Sequence, residues 1–278
     1  MIKPAMVAFA DGSWLIKRTG TRLGRQALQS DHFSHISILS SRDLGFSAPH
    51  TVAQTWDRHT RGFGFWTWKP WAILDALQRL PSAVPGIWYV DAGCTISASP
   101  EASARMKEYL DHGSAQDWGF GFQLDAEFNE VKYTKPEVIE HFRLPVRAVN
   151  SGQIQATCIF IRNNSDGREI IRAWADSTRY EWLFDDSHDP NQKLNNVAFE
   201  EHRHDQSVFS ALAKLRSGVH LRDELHDFLY ENDRHRLHET FRRPLNATRI
   251  RTGFSSASMN PTIRGLRFLE RGIERVLI

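Results

Sequence analysis

The chain has 278 residues with a formal net charge of +2 and 41% hydrophobic residues, enough for one large or two modest domains around a sizeable core. Near-neutral charge gives no support to general nucleic-acid binding, and no apolar run approaches the length of a membrane span. The opening Met1-Ile2-Lys3-Pro4 lacks a signal-peptide profile and the two cysteines, Cys94 and Cys158, lie far apart without metal spacing, so a reduced, cytoplasmic setting is expected.

In chain order, Met6 to Ala10 reads as a strand and Asp11-Gly12-Ser13 as the turn after it, placed to touch a nucleotide or simply to form an Asp-Gly turn. Arg22 to Ser30 is expected to be helical, Ile36 to Leu39 a strand, and Thr51 to Thr60 a short polar helix carrying Arg58. The run Arg61-Gly62-Phe63-Gly64-Phe65-Trp66-Thr67-Trp68-Lys69-Pro70-Trp71 follows. Ile73, Ala76, Leu77 and Leu80 then fall at helical spacing, with Pro70 in the first turn. Lys69 therefore sits beside unpaired N–H groups at the positive end of the helix dipole, where phosphate is favoured. Trp66 and Trp68, one residue apart in an extended segment, are expected to project to one side and stack on a base or sugar ring. Gly62 and Gly64 mark close backbone approach or unusual torsions.

Ile87 to Val90 reads as a buried strand, and Asp91 follows at its carboxyl end, the edge where open α/β sheets bind ligands. A carboxylate there can bind a divalent cation, accept from a ribose hydroxyl, or fix an Asx turn. Ala92 to Ala98 is a loop, and Ser99 with Pro100 caps and starts another helix.

Trp118 to Leu124 is strand-like, and Thr134-Lys135-Pro136-Glu137 carries a capping-box signature. From Gln153 to Ile161, Ile154, Ala156, Cys158 and Phe160 alternate on one side. Gln153, Gln155 and Thr157 share the other, lining an acceptor cleft or forming the outer side of an edge strand. A helix over Asp166 to Arg179 packs through Ile170, Ile171 and Trp174, and Phe184 to Asn196 reads as a long loop of the kind that forms lids. Val208, Phe209 and Leu212 face inward on a further helix. If that helix starts at Asp205, the carboxylate caps it; if it starts near Phe199, Asp205 faces the site as a base or a ligand for an acceptor hydroxyl. His202 and His204 are close by, but with Asp91 they match no strong zinc or manganese spacing.

From Arg242 to Arg275 there are eight arginines against Glu270 and Glu274. Arg249 and Arg251, near Gly253, are candidates to close on a leaving diphosphate. After Asn260-Pro261, Leu266, Leu269, Ile273 and Val276 make one helical face and Arg264, Arg267, Arg271 and Arg275 another. Such a helix docks on its own domain or makes peripheral contact with an anionic membrane surface.

The phrases Gly-Phe-Trp-Thr-Trp-Lys-Pro at 64–70, Tyr-Val-Asp-Ala-Gly at 89–93 and His-Arg-His-Asp-Gln-Ser at 202–207 together resemble a bacterial glycosyltransferase of the GT-A type, over residues 5 to 215. The resemblance implies a GT-A-like, Rossmann-like fold, and with the elements above the expected architecture is a mixed α/β sheet flanked by helices over 1–245, with a helical C-terminal extension over 246–278. It also implies a nucleotide-sugar donor and a saccharide or lipid-linked acceptor. Asp91 stands in the place of the Asp-X-Asp motif and Asp205-Gln206 in that of the acceptor-side Asp-Gln motif. The second carboxylate of the first motif is Gly93 here, which puts dependence on Mn2+ or Mg2+ in question. The expected donor side is then Asp11, Gly12, Ser13, Trp66, Trp68, Lys69, Asp91, Gly93, Arg249 and Arg251, and the acceptor side Gln153, Gln155, His204, Asp205 and Gln206. Competing expectations are a sugar-phosphate nucleotidyltransferase, which normally needs a longer glycine-rich loop than Asp11-Gly12-Ser13, and a non-catalytic carbohydrate-binding protein.

Overall fold

The computed structural model describes residues 2–44, 48–57, 59–187, 198–225 and 242–248. Its main sheet holds β1 Ala5–Phe9, β2 His35–Leu39, β3 Gly86–Val90, β5 Gly119–Gln123, β6 Ile154–Arg162 and β7 Leu221–Arg222, in the order β2-β1-β3-β6-β5-β7. β4 Thr95–Ile96 and β8 Leu245–Asn246 form a separate antiparallel ribbon. The helices are α1 Trp14–Ser30, α2 Ser41–Leu44, α3 His50–Ala53, α4 Gly62–Phe65, α5 Trp68–Arg79, α6 Pro100–Ser114, α7 Glu130–Tyr133, α8 Pro136–His141, α9 Val146–Val149, α10 Ser165–Ser177 and α11 His204–Lys214. This is the expected mixed α/β sheet flanked by helices.

β1 is parallel to both β2 and β3, while β6 runs antiparallel to β3 and β5. Alternation assigns the two faces. Ala5, Val7, Phe9, Ile87 and Tyr89 face a core shared with α5, α10 and α11. Met6, Ala8, Trp88 and Val90 face a second core shared with α1 and α6. Both faces of the central strands are therefore covered, which is why they read as continuous apolar runs. β1 and β3, being parallel, end at the same edge of the sheet, and Asp11 and Asp91 follow their carboxyl ends.

Several elements depart from the sequence expectation. α1 begins at Trp14 rather than Arg22, capped by Ser13. Its Gly20 breaks the helical pattern because the helix presses on the chain after β1, where a Cβ on Gly20 would come within 2.4 Å of the Ala10 Cβ. The polar helix expected over 51–60 is only α3, and Arg58 lies outside the described residues. The loop over 92–98 contains β4, whose partner β8 comes from far along the chain. α8 is preceded by Lys135 at its N-cap position, not Thr134, whose hydroxyl donates instead to Glu130 Oε2.

The largest departure is in β6. Between the Gly121–Ile159 and Gln123–Ile154 pairs, one residue of β5 faces four of β6, so β6 bulges. The bulge reverses the side-chain phase: Ile154 and Ala156 join the same core as Ile159 and Ile161, while Cys158 and Phe160 join the other. β6 is also central, so Gln153 and Gln155 are buried rather than on an edge.

Among the described residues no helix is long and apolar enough to cross a membrane. The expected boundary between residues 245 and 246 falls inside β8. Arg249, Arg251 and the basic segment 261–278 lie outside the described residues.

Candidate active site

A cleft of about 1160 Å³ opens at the edge where β1 and β3 end, and Lys69, Asp91 and Asp205 all line it. Lys69 belongs to the first turn of α5 and is 2% exposed. Its Nζ lies 2.6 Å from Asp205 Oδ2, 3.3 Å from Asp91 Oδ1 and 3.1 Å from the Ala156 carbonyl oxygen. The β6 bulge positions that carbonyl, and the neighbouring Thr157 carbonyl accepts from the Asp91 amide at 2.9 Å. The expectation of a lysine standing ready for phosphate is corrected here. The ammonium is already surrounded by one hydrogen-bonded carbonyl and two ion-paired carboxylates.

Tyr89 completes the arrangement, donating its hydroxyl to Asp91 Oδ1 at 2.5 Å. Burial first, and Asp91 second, push the phenol well above its ordinary range, so it stays a donor. Burial raises the Asp205 carboxyl to about 6 against the opposing pull of Lys69. Burial also works against the Lys69 charge, but Asp205 and Asp91 outweigh it and hold the ammonium above its ordinary value. The site therefore joins a charged lysine to a carboxylate that titrates near neutrality, a combination typical of proton-transfer chemistry.

Asp205 is the second residue of α11, which starts just before it rather than near Phe199, and its carboxylate faces the cleft as the second alternative expected. The N-cap residue is Arg203, without a side-chain cap bond, the Gln206 amide donates to the Arg203 carbonyl at 3.0 Å, and the Asp205 carboxylate pairs with Lys69. The preceding His204 takes a left-handed φ of +47°. Phe63, Phe65 and Trp66 are left-handed too, and the Phe65 and Trp66 rings sit 5.2 and 5.5 Å from the His204 ring. Two strained segments thus brace each other at the cleft, the pattern seen where geometry serves function.

On the expected donor side, Asp11 is anchored rather than offered to a ligand. Oδ2 accepts from the Ser41 amide at 2.9 Å and from the Ser41 hydroxyl, while Oδ1 accepts from the Gly12 amide at 2.7 Å and pairs with Lys17 at 3.2 Å. Burial opposes its ionisation, but these bonds win and lower its pKa to about 2. Gly12 turns the chain at φ +93°, and Ser13 is occupied as the cap of α1. Both nevertheless line the cleft.

Both tryptophans line the cleft, although their segment is a tight left-handed turn leading into α5 rather than extended. Trp68 is buried, stacked on Phe9 with centroids 3.9 Å apart, and donates from Nε1 to the Gly62 carbonyl at 3.0 Å. Trp66 is half-buried and lines the cleft, its ring pressed so closely over Gly62 that a Cβ there would fall 2.3 Å from it. Sequence reasoning missed Trp14, 65% exposed at the cleft rim with the Arg18 guanidinium 4.8 Å above its ring. The available signal was its place directly after the Asp-Gly-Ser turn.

Of the expected acceptor residues, only Gln206, His204 and Asp205 line the cleft. Gln153 is buried, donating to Tyr133, Thr134, Glu130 and Ser207 and accepting from Gln206 Nε2 at 2.7 Å, so it positions Gln206 from behind. Gln155 is buried and donates to Asp223 at 2.7 Å. His204 Nδ1 donates to the Phe184 carbonyl at 2.6 Å, and burial lowers its pKa. His202 donates from Nε2 to the Leu183 carbonyl and accepts the Lys135 amide on Nδ1, buried and held well below its ordinary value. With Lys135, whose ammonium reaches the Asp185 side chain and the Asp185 and Ser187 carbonyls, these rings pin the start of the expected long loop. Residues 188–197 of that loop lie outside the described residues.

Gly93, in the Asp91 turn, offers its carbonyl to Thr248 at 3.2 Å. The same turn brings Cys94 within 3.8 Å of Cys158, both of them buried free thiols. The expected Mn2+ or Mg2+ fits this donor set poorly. Among the described residues no group of three His, Cys, Asp or Glu side chains could hold a metal ion. Asp91 Oδ1 already serves Tyr89 and Lys69, and Gly93 brings no side-chain oxygen.

No family model matches the chain, and no curated protein matches it. Among solved structures it is similar to apo xyloside xylosyltransferase 1 from mouse, at 11% identity and a TM-score of 0.44, covering 91% of this chain and 100% of that one. It is also similar to the apo-form glycosyltransferase GlyE of Streptococcus pneumoniae, at 14% identity and a TM-score of 0.41, over 98% of this chain and 64% of that one.

Proposed function

We propose that this chain is a glycosyltransferase of the GT-A type, moving a sugar from a nucleoside diphosphate donor to a hydroxyl of a saccharide or lipid-linked acceptor. The observation that carries the reading is the meeting of Asp91, Lys69 and Asp205 in one cleft at the carboxyl edge of β1 and β3, the edge at which open α/β sheets take nucleotides.

In this reading Asp91, fixed by Tyr89 and Lys69, accepts hydroxyl bonds from the donor. Asp205 takes the proton of the acceptor hydroxyl as its oxygen bonds to the anomeric carbon, and the bond from that carbon to the diphosphate breaks. The developing phosphate charge is met by Arg61 and Arg203, which line the cleft, and by Arg249 and Arg251 if they close on it. Arg61 is the more available of the first two: its ion pair with Asp186 is long, at 3.7 Å, and exposed. Trp66 and Trp14 offer ring faces to the base or the sugars. The cytoplasm, where nucleotide sugars are made, is the setting this chemistry suits.

A thermal-shift screen of nucleoside diphosphate sugars, followed by release of nucleoside diphosphate from the best binder, tests the reading. One donor is expected to raise the Tm by mass action and to be turned over. Asp91→Ala is expected to lose both effects; turnover unchanged in Asp91→Ala contradicts the donor assignment.

A further inference from the structure

Resting on that functional reading, we propose that the Lys69 ammonium is the resident cation of the cleft, filling the space between Asp91 and Asp205 that a divalent ion would need, so that the site takes up no metal.

The ammonium is held by three oxygens: a carboxylate at the end of β3, a carboxylate at the start of α11 and a carbonyl from the β6 bulge. All-oxygen sets of this kind suit a hard cation, and here the cation is covalently part of the chain. An entering metal ion would meet Nζ already 2.6 and 3.3 Å from the carboxylate oxygens it requires. Displacing the lysine is costly, because its side chain is 3% exposed and its buried ammonium would give up three oxygen partners. Among the described residues no group of three His, Cys, Asp or Glu side chains is placed to hold a metal ion. Both nitrogens of His202 are engaged, while His204 turns Nδ1 to the Phe184 carbonyl and keeps Nε2 3.6 Å from the Asp186 carboxylate. With glycine at 93 and a buried lysine at 69, the charge between the two carboxylates is borne by the protein itself.

Electron paramagnetic resonance of Mn2+ mixed with the full chain, alone and with each nucleoside diphosphate of a panel, tests this directly. The expected result is Mn2+ affinity weaker than about 1 mM in both states, and donor affinity that changes less than about twofold between chelator and added Mn2+. Mn2+ bound tighter than about 0.1 mM and lost in Asp91→Ala overturns the proposal, as does donor affinity raised more than about tenfold by Mn2+. Lys69→Met is expected to open the two carboxylates to Mn2+; should it not fold, the wild-type resonance spectra decide alone. If no nucleoside diphosphate sugar binds with or without Mn2+, the glycosyltransferase reading fails, and the resonance result still settles the lysine's role.

Discussion

The Lys69 ammonium and the Asp205 carboxylate lie 2.6 Å apart, tying the first turn of α5 to the first turn of α11 inside the protein. A buried pair of this kind is a weak stabiliser as a unit, but breaking it leaves an uncompensated charge. Lys69→Ala is therefore expected to lower the unfolding free energy by about 3–5 kcal/mol, read by urea denaturation; a loss below about 1 kcal/mol contradicts the buried triad.

Both partners lose stability as pH rises, each in its own window. The raised Lys69 pKa stabilises the fold below the ordinary lysine value, and that contribution is lost as pH rises through the folded value. Asp205, raised to about 6, contributes stability below its ordinary value of 3.8 and loses it as pH rises to about 6. Denaturation at a series of pH values is expected to show wild type losing stability relative to Asp205→Asn across that window. Parallel curves contradict the raised carboxyl.

Trp14 is 65% exposed at the rim, with the Arg18 guanidinium over its ring. Trp14→Ala is expected to leave stability within about 0.5 kcal/mol while weakening substrate by about 0.5–1.5 kcal/mol, seen as a higher KM with kcat retained. An unchanged KM for both donor and acceptor removes Trp14 from the binding surface.

Gly62 holds φ at +61° directly beneath the Trp66 ring. Gly62→Ala adds a left-handed penalty of about 1–2 kcal/mol and drives a methyl group into the indole, so both stability and donor affinity are expected to fall. Calorimetry of the variant checks both, and a variant as stable as wild type contradicts the tight turn.

Glu130 is fully buried, accepting Lys214 at 2.8 Å together with Ser210, Thr134 and Gln153. Glu130→Ala is expected to cost about 3–5 kcal/mol through the stranded Lys214. Because Gln153 also holds Gln206, acceptor KM is expected to rise while donor affinity stays. A loss of donor affinity alone contradicts this division.

Local periodicity carried much of the fold. β1, β3, α5 and α6 were legible because their apolar spacing and caps lie within a dozen residues. The β6 bulge was not, since alternation from Gln153 to Ile161 reads as one unbroken strand and only pairing with β5 reveals the phase change. The β4–β8 ribbon was hidden for the same reason, its partners coming from distant parts of the chain. At the site, the residue types at 69, 91 and 205 were visible, but not that lysine's acceptors are the other two and a carbonyl of the bulge. Gln153 and Gln155 read as exposed because glutamine usually is, whereas a central strand leaves them no solvent. Trp14 escaped notice because Gly20 and Gly24 interrupt the pattern of the helix it begins.

The most direct test of the central claim is kcat/KM for sugar transfer as a function of pH in wild type and Asp205→Asn. A base at about 6 predicts an acid limb in wild type centred near that value, and about a 10²–10⁴-fold lower, pH-flat rate in the variant. An Asp205→Asn enzyme with the wild-type rate and the same limb would show that the carboxylate held by Lys69 is not the group that takes the proton.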